Sequence, residues 1–230
     1  AISIGLPGPV EASTGTVICN WCDFDTGLSG TQGNFETCCA QFGERGSANP
    51  ATSGASFTLY RCRLQHCGNA IGIHQYLSSG STVTECLIGD STSGASTHPD
   101  GMEIYSSDNI TVLRCRLELD TSNGCQSFSN ITTDFGNTSG NPIIVQDCYI
   151  NGGISPVLTR WYNQGTGTYV KNVSYIGNYF GDSSEYGREC DFNSMNVTYY
   201  QAYAQANPTV IYWASDNVWA PNGEGVTNPA

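Results

Sequence analysis

The sequence predicts an all-β chain that forms a single right-handed parallel β-helix, a solenoid, of about seven coils. One pattern occurs twice, at 72–88 and 101–117: a short alternating strand, a small polar turn and a second short strand, at an offset of 29 residues. Gly, Ser, Thr and Asn are abundant, and charged residues make up only 12% of the chain, which favours strands and turns over helices. Repetition at this period with β-type alternation is typical of solenoids, in which each coil buries its apolar face against the next.

A small anchor residue extends the repeat over most of the chain. An apolar residue stands two positions after each anchor and, in nearly every copy, another stands three positions before it. The seven anchors are Cys22, Cys62, Cys86, Cys115, Cys148, Asn178 and Asn217. Because alternate side chains of a strand point to opposite faces, the residues five and three before the anchor and two after it are predicted to face inward. In the last coil these are Tyr212, Ala214 and Trp219. The anchors are predicted to form an internal column, with cysteines packing as small apolar residues and asparagines continuing it by hydrogen bonds.

The anchor positions also predict how the chain is divided. Residues 1–15 form a lead-in segment, 16–226 the β-helix and 227–230 a tail. The spacing between anchors varies from 24 to 40 residues, and the excess is predicted to leave the stack as loops, the longest at 25–56. A chain of 230 residues is long enough for one domain with a substantial core.

Composition narrows the range of partners. The net charge is −12 and the isoelectric point is near 4.3, so a phosphate backbone would be repelled and nucleic acid is not an expected partner. No apolar run reaches the length of a membrane span, so membrane insertion is not expected. No signal peptide is recognised, which predicts a mature chain or an excised domain. Tyr199, Tyr200 and Tyr203 are predicted either to cap the end of the helix or to contact a second subunit in a homo-oligomer.

Cysteines and glycosylation sequons predict an extracellular, cell-surface or virion-surface location. There are 11 cysteines, and those in loops or at strand edges are the disulfide candidates: Cys38, Cys39, Cys67, Cys125 and Cys190. The glycosylation candidates are Asn109, Asn130, Asn137, Asn172 and Asn196. Cys19 and Cys22 form a Cys-x-x-Cys motif, but no second pair stands at zinc spacing, so no metal site is predicted there.

Four stretches carry a resemblance to a known family. Residues 97–104, which read Thr-His-Pro-Asp-Gly-Met-Glu-Ile, resemble the pectate-lyase-like β-helix superfamily. Together with 129–136, 148–153 and 216–219, they resemble a group of secreted β-helix repeat proteins found in actinobacteria and in phage tails. The resemblance covers roughly residues 55–226 and implies the β-helix fold and a secreted or virion-surface setting.

The same resemblance bears on activity. The segment that contains Asp100 is similar to the Asn-Thr-Asp-Gly motif of polygalacturonases, which implies a carboxylate at the scissile glycosidic bond. The acidic pair of that family should fall near 123–125, where this chain has Asn-Gly-Cys and therefore no carboxylate. Glycoside hydrolysis needs two spaced carboxylates. A lyase of this superfamily would use a basic residue and Ca²⁺ on an acidic cluster, so Ca²⁺ is the one cofactor that the resemblance implies.

The outward face of the repeat supplies the candidate site. The offset of 29 residues places His74 and Glu103 at equivalent positions of adjacent coils, pointing outward, with Asp100 beside them, and these three are the catalytic candidates. The substrate-binding candidates are His98, Asp134, Arg160 and Trp161. Carboxylates accept hydrogen bonds from sugar hydroxyls, aromatic rings stack on sugar faces and arginine binds acidic groups.

Three functions are consistent with these residues. The first is a β-helix that engages a polysaccharide or cell-surface glycan, as an adhesin or tail-appendage module. The second is a polysaccharide hydrolase or lyase that acts through Asp100 with Glu103 or His74. The third is a structural subunit of an extracellular assembly, in which the same side chains are only the surface of a polar sheet.

Overall fold

The structure is a computed structural model. It describes residues 16–25, 38–42, 56–66, 69–73, 80–89, 100–105, 109–119, 129–134, 141–153, 155–159, 162–163, 168–169, 173–181, 183, 211–213, 216–219 and 224–225. The predicted lead-in segment, the tail and most of the predicted long loop lie outside these residues. No helix occurs in the described part, and therefore none there is long and apolar enough to cross a membrane.

The described part is built of short strands. In chain order they are β1 (Thr16–Asn20), β2 (Asp23–Asp25), β3 (Cys38–Phe42), β4 (Ser56–Tyr60), β5 (Arg63–Gln65), β6 (Asn69–Ile73), β7 (Ser81–Thr84), β8 (Leu87–Gly89), β9 (Met102–Tyr105), β10 (Ile110–Leu113), β11 (Arg116–Leu119), β12 (Ser129–Asp134), β13 (Ile143–Gln146), β14 (Tyr149–Gly152), β15 (Ser155–Thr159), β16 (Tyr162–Asn163), β17 (Thr168–Tyr169), β18 (Val173–Ile176), β19 (Tyr179–Phe180), β20 (Ile211–Trp213), β21 (Val218–Trp219) and β22 (Glu224–Gly225).

Three larger sheets organise these strands. The first sheet has the order β1-β4-β7-β10-β13-β18-β20, the second β2-β5-β8-β11-β14-β19-β21-β22, and the third β15-β12-β9-β6-β3. All neighbours in them pair in parallel except β21 and β22, and β16 and β17 form a separate antiparallel pair. Between β4 and β15 the chain visits the first, second and third sheets in turn, so consecutive strands lie in different sheets. This all-β, parallel arrangement is compatible with the predicted β-helix or solenoid.

The predicted offset of 29 residues is right in two of the sheets and wrong in the third. Val83 pairs with Val112 in the first sheet and Leu87 pairs with Arg116 in the second, both at 29. In the third sheet Gly72 pairs with Glu103, an offset of 31. Ile73 of β6 pairs with Ile104 of β9. Ile73 stands eight positions before the start of β7 at Ser81, whereas Ile104 stands six positions before the start of β10 at Ile110, which accounts for the difference of two.

The core follows the predicted inward positions. The residues three before the anchors of the middle coils are each at most 1% exposed: Leu59, Val83, Val112, Val145 and Tyr175. The anchors from Cys62 to Asn217 are also buried, at 3% exposure or less. The first coil departs from the pattern, since Val17 is 49% exposed and β1 is the end strand of its sheet.

The last coil is displaced by one residue from the prediction. Ile211 and Trp213, rather than Tyr212 and Ala214, pair with the inward positions of the preceding coil, Val173 among them. The second sheet keeps the expected register, with Phe180 opposite Trp219. One extra residue therefore lies between β20 and its anchor.

The bend between the first and second sheets has the same backbone geometry in successive coils. The residue before each of the first five anchors has a positive φ of 50–59°: Trp21, Arg61, Glu85, Arg114 and Asp147. Each of their N–H groups donates to a carbonyl oxygen of the following coil, for example Glu85 to Leu113 at 2.9 Å. These interstrand bonds offset the cost of a left-handed conformation, which is about 1–2 kcal/mol per non-glycine residue. The bend explains why inward positions fall at odd steps on either side of the anchor.

The anchor column links successive coils through its side chains. The backbone N–H of Cys115 donates to Sγ of Cys148 at 3.4 Å, and the N–H of Cys148 donates to Oδ1 of Asn178 at 3.0 Å. In the other direction, Sγ of Cys115 donates to the carbonyl of Val83 at 3.3 Å. Hydrogen bonding to Cys148, with burial, raises the pKa of the Cys115 thiol to about 12. Cys115 is therefore a neutral, buried group, and the anchors from Cys62 to Asn217 are buried groups that form hydrogen bonds along the column.

Candidate functional site

Only some of the predicted site residues lie in the described part. Asp100 and Glu103 are described, and both are 5% exposed. Asp134 is the last residue of β12 and pairs with Tyr105 of β9 through its backbone. The remaining candidates lie outside the described residues: His74, His98, Arg160 and Trp161.

Two expectations about Glu103 are wrong. The pairing of the third sheet places Gly72 opposite Glu103, so Glu103 and His74 do not occupy equivalent positions. Glu103 was also expected on an open outward face. It stands between Met102 and Ile104, which are in the core, yet its own side chain is buried as well. The third sheet therefore does not present Glu103 to solvent as an open groove would.

An asparagine that the sequence did not suggest joins the two acidic residues. Nδ2 of Asn69 donates to Oε2 of Glu103 at 2.7 Å. The backbone N–H of Asp100 donates to Oδ1 of the same asparagine at 2.8 Å, and the N–H of Ala70 donates to the carbonyl of Asp100 at 3.0 Å. Asn69 is itself 1% exposed. Its two-sided amide fixes the Glu103 carboxylate against the segment that enters β9, which orients a buried acid.

The signal for Asn69 is visible only once the register is known. With the offset of 31, Asn69 corresponds to Asp100 (69 + 31 = 100), so a polar residue enters the strand in both coils. With the offset of 29 that holds elsewhere, the residue compared with Asp100 is Ile71, and the correspondence is lost.

A second group of polar and aromatic side chains lies on the outer face of the second sheet. This face consists of the residues one and three positions after the anchors: Asp23, Asp25, Arg63, Gln65, Leu87, Gly89, Arg116, Glu118, Tyr149, Asn151, Tyr179, Gly181 and Val218. They flank inward residues, such as Ile150, that are fully buried, so alternation places them outside.

The aromatic part of this face spans two adjacent coils. Tyr149 pairs with Tyr179 in the register of the sheet, and Tyr179 is 54% exposed. The guanidinium carbon of Arg116 lies over the ring of Tyr149, 5.2 Å from its centre. Nε of Arg116 also donates to Glu118 at 2.6 Å, which holds the arginine along the sheet. The result is a cation, a ring and an exposed second ring in one column.

The other end of the same face carries an ion pair. Arg63 contacts Asp23 through both Nη2 and Nε, with Nε at 3.0 Å from Oδ1. Hydrogen bonding to Arg63 lowers the pKa of Asp23 below its ordinary value. Asp25 accepts from Gln65 at 2.9 Å and contacts Nδ1 of His66 at 3.0 Å. These groups can bind and orient a polar ligand, but they do not form a nucleophile–base pair.

A charged column runs beside this face along the bend. Glu85 lies between Arg61, at 2.6 Å, and Arg114, at 3.0 Å. Hydrogen bonds from these two arginines lower the pKa of Glu85. The guanidinium of Arg61 also lies over the rings of Trp21 and Tyr60, at 4.7 and 5.0 Å. Four of the eight Lys and Arg residues of this acidic chain are thus concentrated at the bend and the adjoining face: Arg61, Arg63, Arg114 and Arg116.

The structure describes only some of the predicted disulfide and glycosylation sites. Cys39 is buried, and its thiol donates to the carbonyls of Gln65 at 3.3 Å and Phe24 at 3.5 Å, as a core residue does. No disulfide joins two cysteines of the described part, and no group of three or more metal-binding side chains occurs within it. Asn109 enters β10 with φ of 59° and is partly buried. Cys38 and Asn130 are described only as strand positions. Cys67, Cys125, Cys190, Asn137, Asn172 and Asn196 lie outside the described residues.

Comparison with known proteins returned no match: no family model, no curated protein and no solved structure is significantly similar to the chain.

Proposed function

We propose that the chain is a single right-handed parallel β-helix of about seven coils, of the pectate-lyase-like type, and that it engages glycans outside the cell or on a virion surface. Two observations support the β-helix: the first sheet has seven strands, and from β4 to β15 consecutive strands belong to the first, second and third sheets in turn. Right-handedness follows from the strong preference of parallel crossovers for that hand. The buried columns supply the packing that a stack of coils requires.

The observation that carries glycan binding is the aromatic part of the outer face of the second sheet. Tyr179 exposes more than half of its surface, and Tyr149 in the adjacent coil is backed by Arg116. Sugar rings stack on such side chains while neighbouring amide and carboxylate groups bind their hydroxyls. Asn151 and Glu118 stand two positions further along the same strands as Tyr149 and Arg116, on the same side.

Glycan binding can be tested with the double variant Tyr149→Ala/Tyr179→Ala. The wild-type chain is screened on a glycan array, and the ligands found are measured by isothermal titration. At about 1 kcal/mol for each ring, the double variant is expected to bind about 30-fold more weakly. The matched control is Leu113→Ala, a partly buried apolar position on the outer side of the first sheet, which should bind as wild type does. Equal affinity in the double variant would exclude this face, and a stable oligomer that binds no glycan would favour a structural subunit.

One observation favours a second candidate, a polysaccharide hydrolase or lyase. Asp100 and Glu103 are both buried, and the amide of Asn69 binds the carboxylate of Glu103 and the backbone N–H of Asp100. A buried carboxylate held in a fixed position, as that of Glu103 is, is what general acid–base catalysis uses. Release of reducing ends or of unsaturated products from a polysaccharide panel, lost in Asp100→Asn, is the expected result. Activity that survives this substitution would remove Asp100 from the mechanism.

A further inference from the structure

The first coil carries two inward thiols on either side of its bend, Cys19 and Cys22, in addition to the buried Cys39 of β3. Cys22 is its anchor, and Cys19 stands three positions earlier, where β4, β7, β10 and β13 carry leucine or valine and β18 carries Tyr175. Both thiols pack against the core cluster from its end. The proposed function makes no use of this Cys-x-x-Cys pair.

Exposure separates the pair from the rest of the anchor column. Cys62, Cys86, Cys115 and Cys148 are at most 3% exposed, whereas Cys19 and Cys22 are only partly buried. The difference arises because β1 and β2 are the end strands of their sheets, so that among the described residues a single neighbouring coil covers them. Small oxidants can therefore reach the pair while the column behind it stays protected.

The local backbone brings the two thiols together. Trp21 lies between them with φ of 59°, and this bend turns the anchor to the same inward side as Cys19. Sγ of Cys22 donates to the carbonyl of Asn20 at 3.5 Å, and Sγ of Cys62 donates to the carbonyl of Cys19 at 3.3 Å. Burial, followed by the proximity of Cys22 and Cys62 and a side-chain hydrogen bond with Cys22, raises the pKa of the Cys19 thiol. The two thiols therefore pack against the same end of the core, on either side of one bend.

We propose that Cys19 and Cys22 form a reversible disulfide that closes the exposed end of the anchor column. The co-reactant is a small disulfide such as oxidised glutathione. One thiolate of the pair attacks a sulfur of the small disulfide and releases one small thiol, and the second thiolate then displaces the other. The protein loses two protons and two electrons, and the small disulfide is reduced to two thiols. This inference does not depend on glycan binding.

The test is oxidation of the full native chain followed by alkylation and peptide mapping. After incubation with oxidised glutathione, the peptide that carries Cys19 and Cys22 is expected to lose two hydrogens and to resist iodoacetamide. Reduction with dithiothreitol should restore its labelling at least tenfold. The four buried anchors should remain as thiols throughout, to be labelled only after unfolding.

The repeat itself supplies conservative variants for this test. Cys19→Val introduces the residue found at the same position of three other coils, and Cys22→Asn introduces the anchor of the last two. Each should retain the far-UV circular dichroism of the wild type. In each variant the remaining cysteine is expected to form a mixed disulfide with glutathione and to react no further, because the second thiol that would displace the glutathione is absent. The proposal is overturned if both cysteines still alkylate fully after oxidation, or if either is found linked to a different cysteine.

Discussion

The asparagine end of the anchor column gives the sharpest prediction about stability. Asn178 is fully buried, and three hydrogen bonds hold its side chain. Oδ1 accepts from the N–H of Cys148, and Nδ2 donates to the carbonyl of Val145 and to Oδ1 of Asn217, each at 3.0 Å. We expect Asn178→Ala to destabilise the protein substantially, because it removes a connector between three coils rather than a single contact.

The size of the effect follows from the groups left behind. Alanine cannot accept from the N–H of Cys148 or donate to the carbonyl of Val145, and both lie in the buried interior. A buried polar group that loses its partner costs about 1–3 kcal/mol, so the two together predict a loss of about 2–6 kcal/mol. Asn178→Cys restores the anchor that the preceding four coils use. It should recover at least half of that loss.

Equilibrium unfolding in guanidinium chloride measures both variants. The guanidinium concentration at the unfolding midpoint should be highest for the wild type, lower for Asn178→Cys and lowest for Asn178→Ala. Because neighbouring coils support one another, the loss should also appear as faster hydrogen exchange in β13 and β18, which pair with each other just before the anchors Cys148 and Asn178. An alanine variant as stable as wild type, or a cysteine variant no better than alanine, would refute the connector role.

Three further predictions concern charge, backbone and thiol chemistry. Because the pKa of Glu85 is lowered in the folded state, its pairing with the arginines contributes stability above the unfolded pKa of about 4.5, and this stability is lost as pH falls through the lower folded pKa. Between pH 6 and pH 3 the unfolding midpoint of Glu85→Gln should therefore fall less than that of the wild type. An equal fall in both proteins would contradict this. Gly152 has φ of 84°, and a Cβ there would collide with the backbone carbonyl of Leu119, so Gly152→Ala should fail to fold or lose more than about 2 kcal/mol of unfolding free energy. In the control Gly80→Ala the added Cβ would lie 3.5 Å from Oδ1 of Asn109, and the melting temperature should not change. The pKa of about 12 predicts that native Cys115 stays unlabelled by iodoacetamide at pH 9 and is labelled in guanidinium; rapid labelling of the native chain would count against its burial.

The repeat predicted the core well because the information is local. The residue two after each anchor lies within the same bend, so no loop can intervene, and Leu64, Ile88, Leu117 and Ile150 are all fully buried. The third sheet was harder to predict. Loops of different length separate it from the first two sheets. Because one of these loops differs by two residues between the two coils, Glu103 pairs with Gly72 and not with the predicted His74.

The bend shows a second limit of sequence reasoning. A left-handed residue is usually suggested by glycine or asparagine, yet Trp21, Arg61, Glu85 and Arg114 adopt this conformation. What selects it is the hydrogen bond that each N–H makes to the next coil, which depends on stacking rather than on the residue type. The pairing of Glu103 with Asn69 is also a tertiary contact, between residues 34 positions apart.

The chemistry of the anchor column differs at its two ends, and this difference has consequences. The bonds that thiols donate along the column are long, up to 3.7 Å from Cys148 to the carbonyl of Val112. The amide of Asn217 reaches the carbonyl of Tyr175 at 2.9 Å. Sulfur is a weak donor, so the cysteine coils depend mainly on apolar packing, whereas the asparagine coils depend on hydrogen bonds that replace those of water. Oxidants can therefore act only on the thiol end, where coverage is incomplete at Cys19. Polar substitutions should cost most in the middle of the column, where each anchor serves coils on both sides.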